Sequence, residues 1–277
     1  MSFETLDVTV SDKVAHVVLN RPKALNTMTR AFWSEIRDAF ADLDGNPNVR
    51  AVVLSSTGKH FTAGMDLSVF GSLQPDGNAD GATRREALRR TVFEFQESFS
   101  PIERMRVPVL AAIQGGCIGG GVDLISTTDM RYCTRDAFFT IMEINIGLTA
   151  DVGTLQRLPH LMPAGLMREL AYTGRKMKAE EAKDAGLVNQ IYDSHDEMLE
   201  DVTGIAREIA SKAPLAVTGT KEMLNYARDH SVEDGLRYVA TWQAAMLSSG
   251  DMMEAMQARR DKRDAEFSDL LGKASTN

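Results

Sequence analysis

Three acidic residues stand where acids are costly. Asp123 falls in Gly119-Gly-Gly-Val-Asp-Leu-Ile125, and Glu143 and Asp151 fall in the apolar stretch from Phe138 to Gly153. A carboxylate in apolar surroundings is destabilising unless it is paired or has a task. Two acids sharing a dry pocket titrate apart, because desolvation and like charge hold one protonated while the other ionises. All three acids are therefore candidates for a functional site. An Asp in a first helical turn is also what the helix dipole favours, so Asp123 alone fits either a structural or a chemical role.

Two glycine-containing runs offer the complementary chemistry. Gly119-Gly120-Gly121 precedes an apolar helical pattern and follows a strand ending near Gln114. Glycines there let a ligand approach the main chain, and the first N–H groups of a helix are free to donate. The same run equally suits a tight strand-to-helix turn, and it is neither a GxGxxG nor a Walker motif. The run from His60 to Leu67 follows another buried strand and could present a second N–H. Two N–H groups converging on one carbonyl oxygen make an oxyanion hole.

Other chemistries find little support. The chain has 5 histidines without HExxH spacing, no Ser/His/Asp order, and 2 cysteines, Cys117 and Cys133, without metal-ligand spacing. No metal site is expected. A net charge of -8 argues against a nucleic-acid surface. No apolar run approaches the ~18 residues of a membrane span. The first residues resemble neither a signal nor a transit peptide, and the last are not Ser-Lys-Leu, so cytoplasmic location is the expectation.

These residues need elements to hold them. Leu6–Val10 and Val14–Leu19, either side of Ser11-Asp-Lys13, read as a hairpin. Phe32, Ile36, Phe40 and Leu43 recur at helical steps across Thr29 to Leu43. Arg50 to Ser55 and Val109 to Gln114 read as buried strands, Gly71 to Ala82 as a loop, and the wall of the pocket is expected within Phe70 to Phe95. Strands and helices alternating over the first two-thirds predict an α/β core. After about residue 195 only helices are expected, around 200–213, 220–228 and 231–248, with a capping box at Ser231 and a Met-rich tail of Met246, Met252, Met253 and Met256. The division expected is 1–195 for the core with its site and 196–277 for a helical C-terminal region.

Asn20-Arg-Pro-Lys-Ala-Leu-Asn26, Phe61 to Leu67, Ile113 to Leu124 and Thr173 to Val188 together resemble the crotonase superfamily in order and spacing over nearly the whole chain. Within it, Gly115 to Ile125, Asp129 to Thr134 and Gly147 to Pro159 are most similar to the dienoyl-CoA isomerases. Hydratases of the superfamily usually have glutamate where Asp123 stands and glycine where Asp151 stands, and they share Glu143.

The resemblance implies a crotonase-like ββα superhelix core and an isomerase shifting 3,5-dienoyl-CoA to 2,4-dienoyl-CoA in fatty-acid β-oxidation. It implies an oxyanion hole from the N–H groups of Met65 and Gly120, proton transfer by Glu143 and Asp151, and a tuning role for Asp123. Coenzyme A, part of the substrate rather than a cofactor, would meet Lys23, Ala24, Leu25 and Ala63, with Lys59 or Lys262 as weaker partners. It also implies a trimer or a dimer of trimers. The competing readings are an enoyl-CoA hydratase or monoene isomerase on the same fold, and a non-catalytic acyl-CoA or RNA binder.

Overall fold

The computed structural model describes residues 3–72 and 80–272. The chain opens with β1 (Leu6–Ser11) and β2 (Val14–Leu19), paired antiparallel with Ser11 opposite Val14. Asp12 and Lys13 between them both have positive φ, as a two-residue hairpin turn of right-handed twist requires. Helix α1 (Arg30–Gly45) starts at Thr29, whose hydroxyl accepts the Phe32 N–H, and buries Phe32, Ile36, Phe40 and Leu43 as the spacing predicts.

Strand β3 (Ala51–Ser56) leads through α2 (Leu67–Ser72) and α3 (Gly81–Arg104) to β4 (Val109–Ile113). Of the loop expected over Gly71 to Ala82, Gly71 and Ser72 close α2, and Gly81 and Ala82 open α3; residues 73–79 lie outside the described residues. Asp80 caps α3, its carboxylate accepting the N–H groups of Ala82 and Thr83, which fixes the helix start earlier than the loop composition suggests.

Next come β5 (Gly116–Ile118), α4 (Gly120–Ser126), β6 (Met130–Thr134), β7 (Phe138–Thr140), α5 (Thr154–Arg157), α6 (Ala164–Thr173), β8 (Met177–Lys178), α7 (Ala179–Asp184) and β9 (Gln190–Tyr192). The strands form two sheets. The larger has the order β1-β2-β3-β4-β6-β9 and is parallel from β2 onward; the smaller is β5-β7-β8.

Every residue of β3 and β4 is buried, because helices cover both faces of this parallel sheet. Val52 and Leu54 point to the face packed by α1, while Ala51 and Val53 point to Met198, Val202 and Ala206 of α8 (His195–Ala210). After α8 follow α9 (Pro214–Asp229), α10 (Val232–Met246) and α11 (Ser249–Asp261). No strand lies beyond Tyr192 among the described residues, and no described helix is long and apolar enough to cross a membrane.

Helices α8 and α9 start five or six residues earlier than expected, at the Ser194 cap and at Pro214. At the start of α10, Ser231 Oγ accepts the Asp234 N–H. Of the Met-rich tail, Met246 ends α10 and Met252, Met253 and Met256 lie on α11, and the tail does not pack its methionines into the core: Met253 is 65% and Met256 62% exposed.

Candidate active site

The register of the small sheet builds the site. β5 and β7 run parallel, with Gly116 opposite Phe138 and Ile118 opposite Thr140. The Gly119 N–H then donates to Thr140 O at 2.9 Å, so α4 and the 3-10 turn Glu143–Ile146 depart side by side. Gly119 has φ +54, and a Cβ there would stand 3.2 Å from Glu143 Oε1. The position therefore favours glycine for its conformation as well as for space.

The His60 to Leu67 run is stitched onto β5. Phe61 N–H donates to Gln114 O at 2.8 Å, Thr62 N–H to Gly116 O at 3.1 Å, and Ile118 N–H to Thr62 O at 3.2 Å. The Gly116 N–H donates to His60 Nδ1 at 2.9 Å, and burial lowers the pKa of this imidazole, favouring its neutral accepting form. Gly64, at φ +86, lies against the second loop: a Cβ would be 2.7 Å from Ile118 O and 3.7 Å from Gly120 N.

The Met65 and Gly120 N–H groups are not used in this stitching. The N–H groups of Ala63, Gly64, Asp66 and Gly119 go to Leu25 O, Thr62 Oγ1, Met28 O and Thr140 O. Among the described residues the Met65 and Gly120 N–H groups have no acceptor. Both residues line one cavity of about 440 Å³, together with Asp123, Glu143 and Asp151. Trp33 and Phe95 form part of its apolar wall. A larger cavity, about 790 Å³, lies between α8 and α9 beside Asp129 and Lys221 and contains none of the three acids.

The acids differ in surroundings. Asp123 is 1% exposed and accepts the Thr154 N–H on Oδ1 at 2.7 Å. Burial raises its pKa to about 6, the Asp151 charge adds to this, and the bonds from Thr154 and the charge of Arg157 oppose it. Burial, then the charges of Asp123 and Asp151, raise Glu143 to about 7. Its Oε2 is buried with no hydrogen-bond partner among the described residues, an acceptor left for something in the cavity. Asp151 is open to solvent at the cavity rim, yet the protein around it still raises its pKa. Its main-chain oxygen accepts from Gln96 Nε2 at 2.7 Å.

The Asn20 to Asn26 run folds as a short 3-10 turn, Pro22–Ala24, held by Asn26. Asn26 is buried at positive φ; its Nδ2 donates to Thr57 O and His60 O, and its Oδ1 accepts the Arg21 N–H. Leu25 O accepts the Ala63 N–H at 3.0 Å, which sets the turn beside the cavity lining. The Ala24 and Leu25 N–H groups are used inside the turn and their carbonyls accept from Thr27 and Ala63, so what they can offer a ligand is the second lone pair of each carbonyl oxygen. Lys23 and Lys59 are exposed. Lys262 ends α11, which faces α9 and α10 rather than the cavity.

Sequence reasoning missed Gln96 and Thr154, whereas the pocket wall expected within Phe70 to Phe95 is met by Leu88, Thr91, Val92 and Phe95 of α3. Along this helix Leu88, Val92, Phe95, Phe99 and Ile102 recur at steps of four, three, four and three, though among many charges. The two polar ties carry no local signal, because their partners lie far along the chain.

A family model described as enoyl-CoA hydratase/isomerase matches residues 9–270. The chain is 47% identical over 269 residues to the mitochondrial Delta(3,5)-Delta(2,4)-dienoyl-CoA isomerase of Mus musculus, covering 96% of this chain and 82% of that one. It is 45% identical over 274 residues to the peroxisomal protein of the same name from Arabidopsis thaliana, covering 97% and 99%. Among solved structures, an enoyl-CoA hydratase from Bacillus anthracis superposes with a TM-score of 0.85 at 28% identity, covering 96% of this chain and 99% of that one. The crotonase-like α/β core expected from the sequence is thus the fold observed. The cytoplasmic expectation is corrected, since these relatives are named mitochondrial and peroxisomal. Addresses are read by receptors from short segments, and the folded core carries none of that information.

Proposed function

The chain belongs to the enoyl-CoA hydratase/isomerase family, and from that premise we propose that its cavity shifts a 3,5-dienoyl-CoA to the conjugated 2,4-dienoyl-CoA in the β-oxidation of unsaturated fatty acyl groups. The observation that carries this reading is the grouping of three carboxyl groups of raised pKa around two unpaired main-chain donors in one apolar cavity.

The thioester oxygen accepts from the Met65 and Gly120 N–H groups. Charge reaches that oxygen only as a proton leaves C2, so the two donors act mainly in the transition state. Glu143 stands against Gly119, next to the Gly120 donor, and so faces C2, the carbon beside the carbonyl. Asp151, at the rim, faces C6. Glu143 removes the C2 proton, the electron pair delocalises over the trienolate to oxygen, and Asp151 delivers a proton to C6 as the double bonds move to C2 and C4. The pair ends with its proton on Glu143, and exchange with solvent at the open rim resets it. Protons and electrons balance without a metal or redox cofactor.

Asp123 has one oxygen occupied by the Thr154 N–H and is a methylene shorter than glutamate, so it supports the charge balance and orients a water poorly. Hydration of a 2-enoyl-CoA is accordingly weak. Lys23 and the carbonyls of Ala24, Leu25 and Ala63 contact the coenzyme A portion. The C-terminal region, 196–277, assembles the chain into a trimer or a dimer of trimers.

The test is the ultraviolet rise of conjugated product when wild type, Asp151→Asn and Glu143→Gln each receive a 3,5-dienoyl-CoA. Fast wild type with both variants slower by about 10²-fold or more supports the two-carboxyl shift. A wild type that instead hydrates 2-enoyl-CoA faster than it isomerises the diene rejects it.

A further inference from the structure

The segment that carries Asp151 is held from one side by a single helix. Gln96 and Glu103 lie seven residues apart on α3, hence on one face two turns apart. Gln96 Nε2 donates to the main-chain oxygen of Asp151 at 2.7 Å. Glu103 Oε2 accepts from Arg157 Nε and Nη2, both at 3.2 Å, and Glu103 also pairs with Arg228 of α9. The anchored Arg157 side chain folds back over the segment. Its Nη1 lies 3.4 Å from Val152 O, and a Cβ on Gly153 would fall 1.8 Å from that nitrogen. The next residue, Thr154, gives its N–H to Asp123. Residues 151 to 154 are thus fixed one after another, and the cavity wall of Leu88, Val92 and Phe95 belongs to the helix that does the fixing.

We propose that Gln96 is a positioning residue for Asp151, acting with the Glu103–Arg157 clamp to aim its carboxyl group into the cavity. This rests on the reading of Asp151 as a proton donor. Asp151 sits at the rim on a segment without a regular element of its own, between the 3-10 turn and α5. Without the amide its main chain keeps the Arg157 clamp at Val152 but loses the fixation at its own carbonyl. A carboxyl group displaced by about 1 Å from its productive place loses on the order of 10² in rate.

Gln96→Met keeps length and removes the donor. The expected result is a kcat at least tenfold lower with KM nearly unchanged, an unaltered melting temperature, and a displaced pH profile, because Asp151 and Glu143 no longer share a proton at the same spacing. In an Asp151→Asn background the same change has almost no further effect, since Gln96 acts through Asp151. Gln96→Glu supplies an independent readout. As a carboxylate it repels the Asp151 carbonyl, and once protonated it donates to it, so its activity relative to wild type rises as pH is lowered from 8 to 5.5. A wild-type kcat and pH profile for Gln96→Met overturn the proposal. So does a full additional loss in the Asp151→Asn background, or, should Gln96→Met fail to fold, a pH-independent activity ratio for Gln96→Glu. If Asp151→Asn alone is as active as wild type, the proton-donor reading falls as well; if it is slow while Gln96→Met is normal, only the positioning role falls.

Discussion

Proton sharing among Asp123, Glu143 and Asp151 sets what can be measured at single residues. The working form holds one proton between Glu143 and Asp151, so it disappears at high pH when the last proton leaves the pair. With Glu143 at about 7, kcat/KM is expected to decline as pH rises through about 7, and to decline again at lower pH when both acids are protonated. Glu143→Gln removes most of the activity and moves the decline at high pH to lower pH, because Asp151 then titrates alone. A kcat/KM that stays flat from pH 6 to 9 contradicts this assignment. Asp123→Asn is expected to lower isomerase activity without creating hydration, because the Thr154 N–H still holds the side-chain oxygen; a gain of hydratase activity, read by loss of the 2-enoyl chromophore, runs against it.

At the level of elements, the site exists because two loops are laid edge to edge on a three-residue strand. Gly64 is the contact point. Gly64→Ala would press a methyl group into Ile118 O and hold alanine at φ +86, which costs on the order of 1–2 kcal/mol for the conformation alone. The loop can relieve the clash by moving Met65 away from Gly120. The expected outcome is a loss of kcat of about 10²–10³, as for one missing oxyanion donor, with a smaller change in KM. Steady-state kinetics beside a melting curve separate this from general unfolding: a loss of stability with kcat intact would mean that Met65 does not contribute a donor.

For the whole molecule, the buried acids link folding to pH. A carboxyl group whose folded pKa is raised holds its proton in the native state after the unfolded chain has lost it. Stability is therefore highest below the unfolded value, near 3.8 for Asp123, and falls as pH climbs through the folded value, about 6. A displacement of about two units corresponds to roughly 3 kcal/mol for this fully buried group. Asp123→Asn should flatten the dependence of the melting temperature on pH between about 4 and 7; an unchanged slope would mean that the native environment is less hostile to charge. Assembly is the other property at this scale. Leu224, Leu236, Met253 and Met256 are all more than 60% exposed on α9, α10 and α11. In the proposed trimer such faces are covered, so Leu236→Glu is expected to lower the mass measured by light scattering, and an unchanged mass places the contact elsewhere.

The amino-acid sequence by itself determined the hairpin, α1 and the buried strands, because their hydrophobic repeats match the period of one element and their turn residues allow few conformations. It also marked out the acids of the site, since Asp123, Glu143 and Asp151 sit in local contexts where a charge is anomalous. The pocket wall was legible only as the stretch Phe70 to Phe95, because the arginines and glutamates of α3 obscure its individual wall positions, and β5, β7 and β8, at two or three residues each, are too short for any period to register. What only the tertiary structure decided is adjacency. Ile118 meets Thr140 through the register of a sheet, Thr154 reaches Asp123 across the fold, and Gln96 reaches Asp151 from a separate helix. Such contacts join residues 22 to 55 positions apart by main-chain hydrogen bonds and packing, and hydrogen bonds to main-chain groups leave little trace in side-chain pattern. The raised pKa values follow from the same adjacency, since desolvation and like charge act through space rather than along the chain.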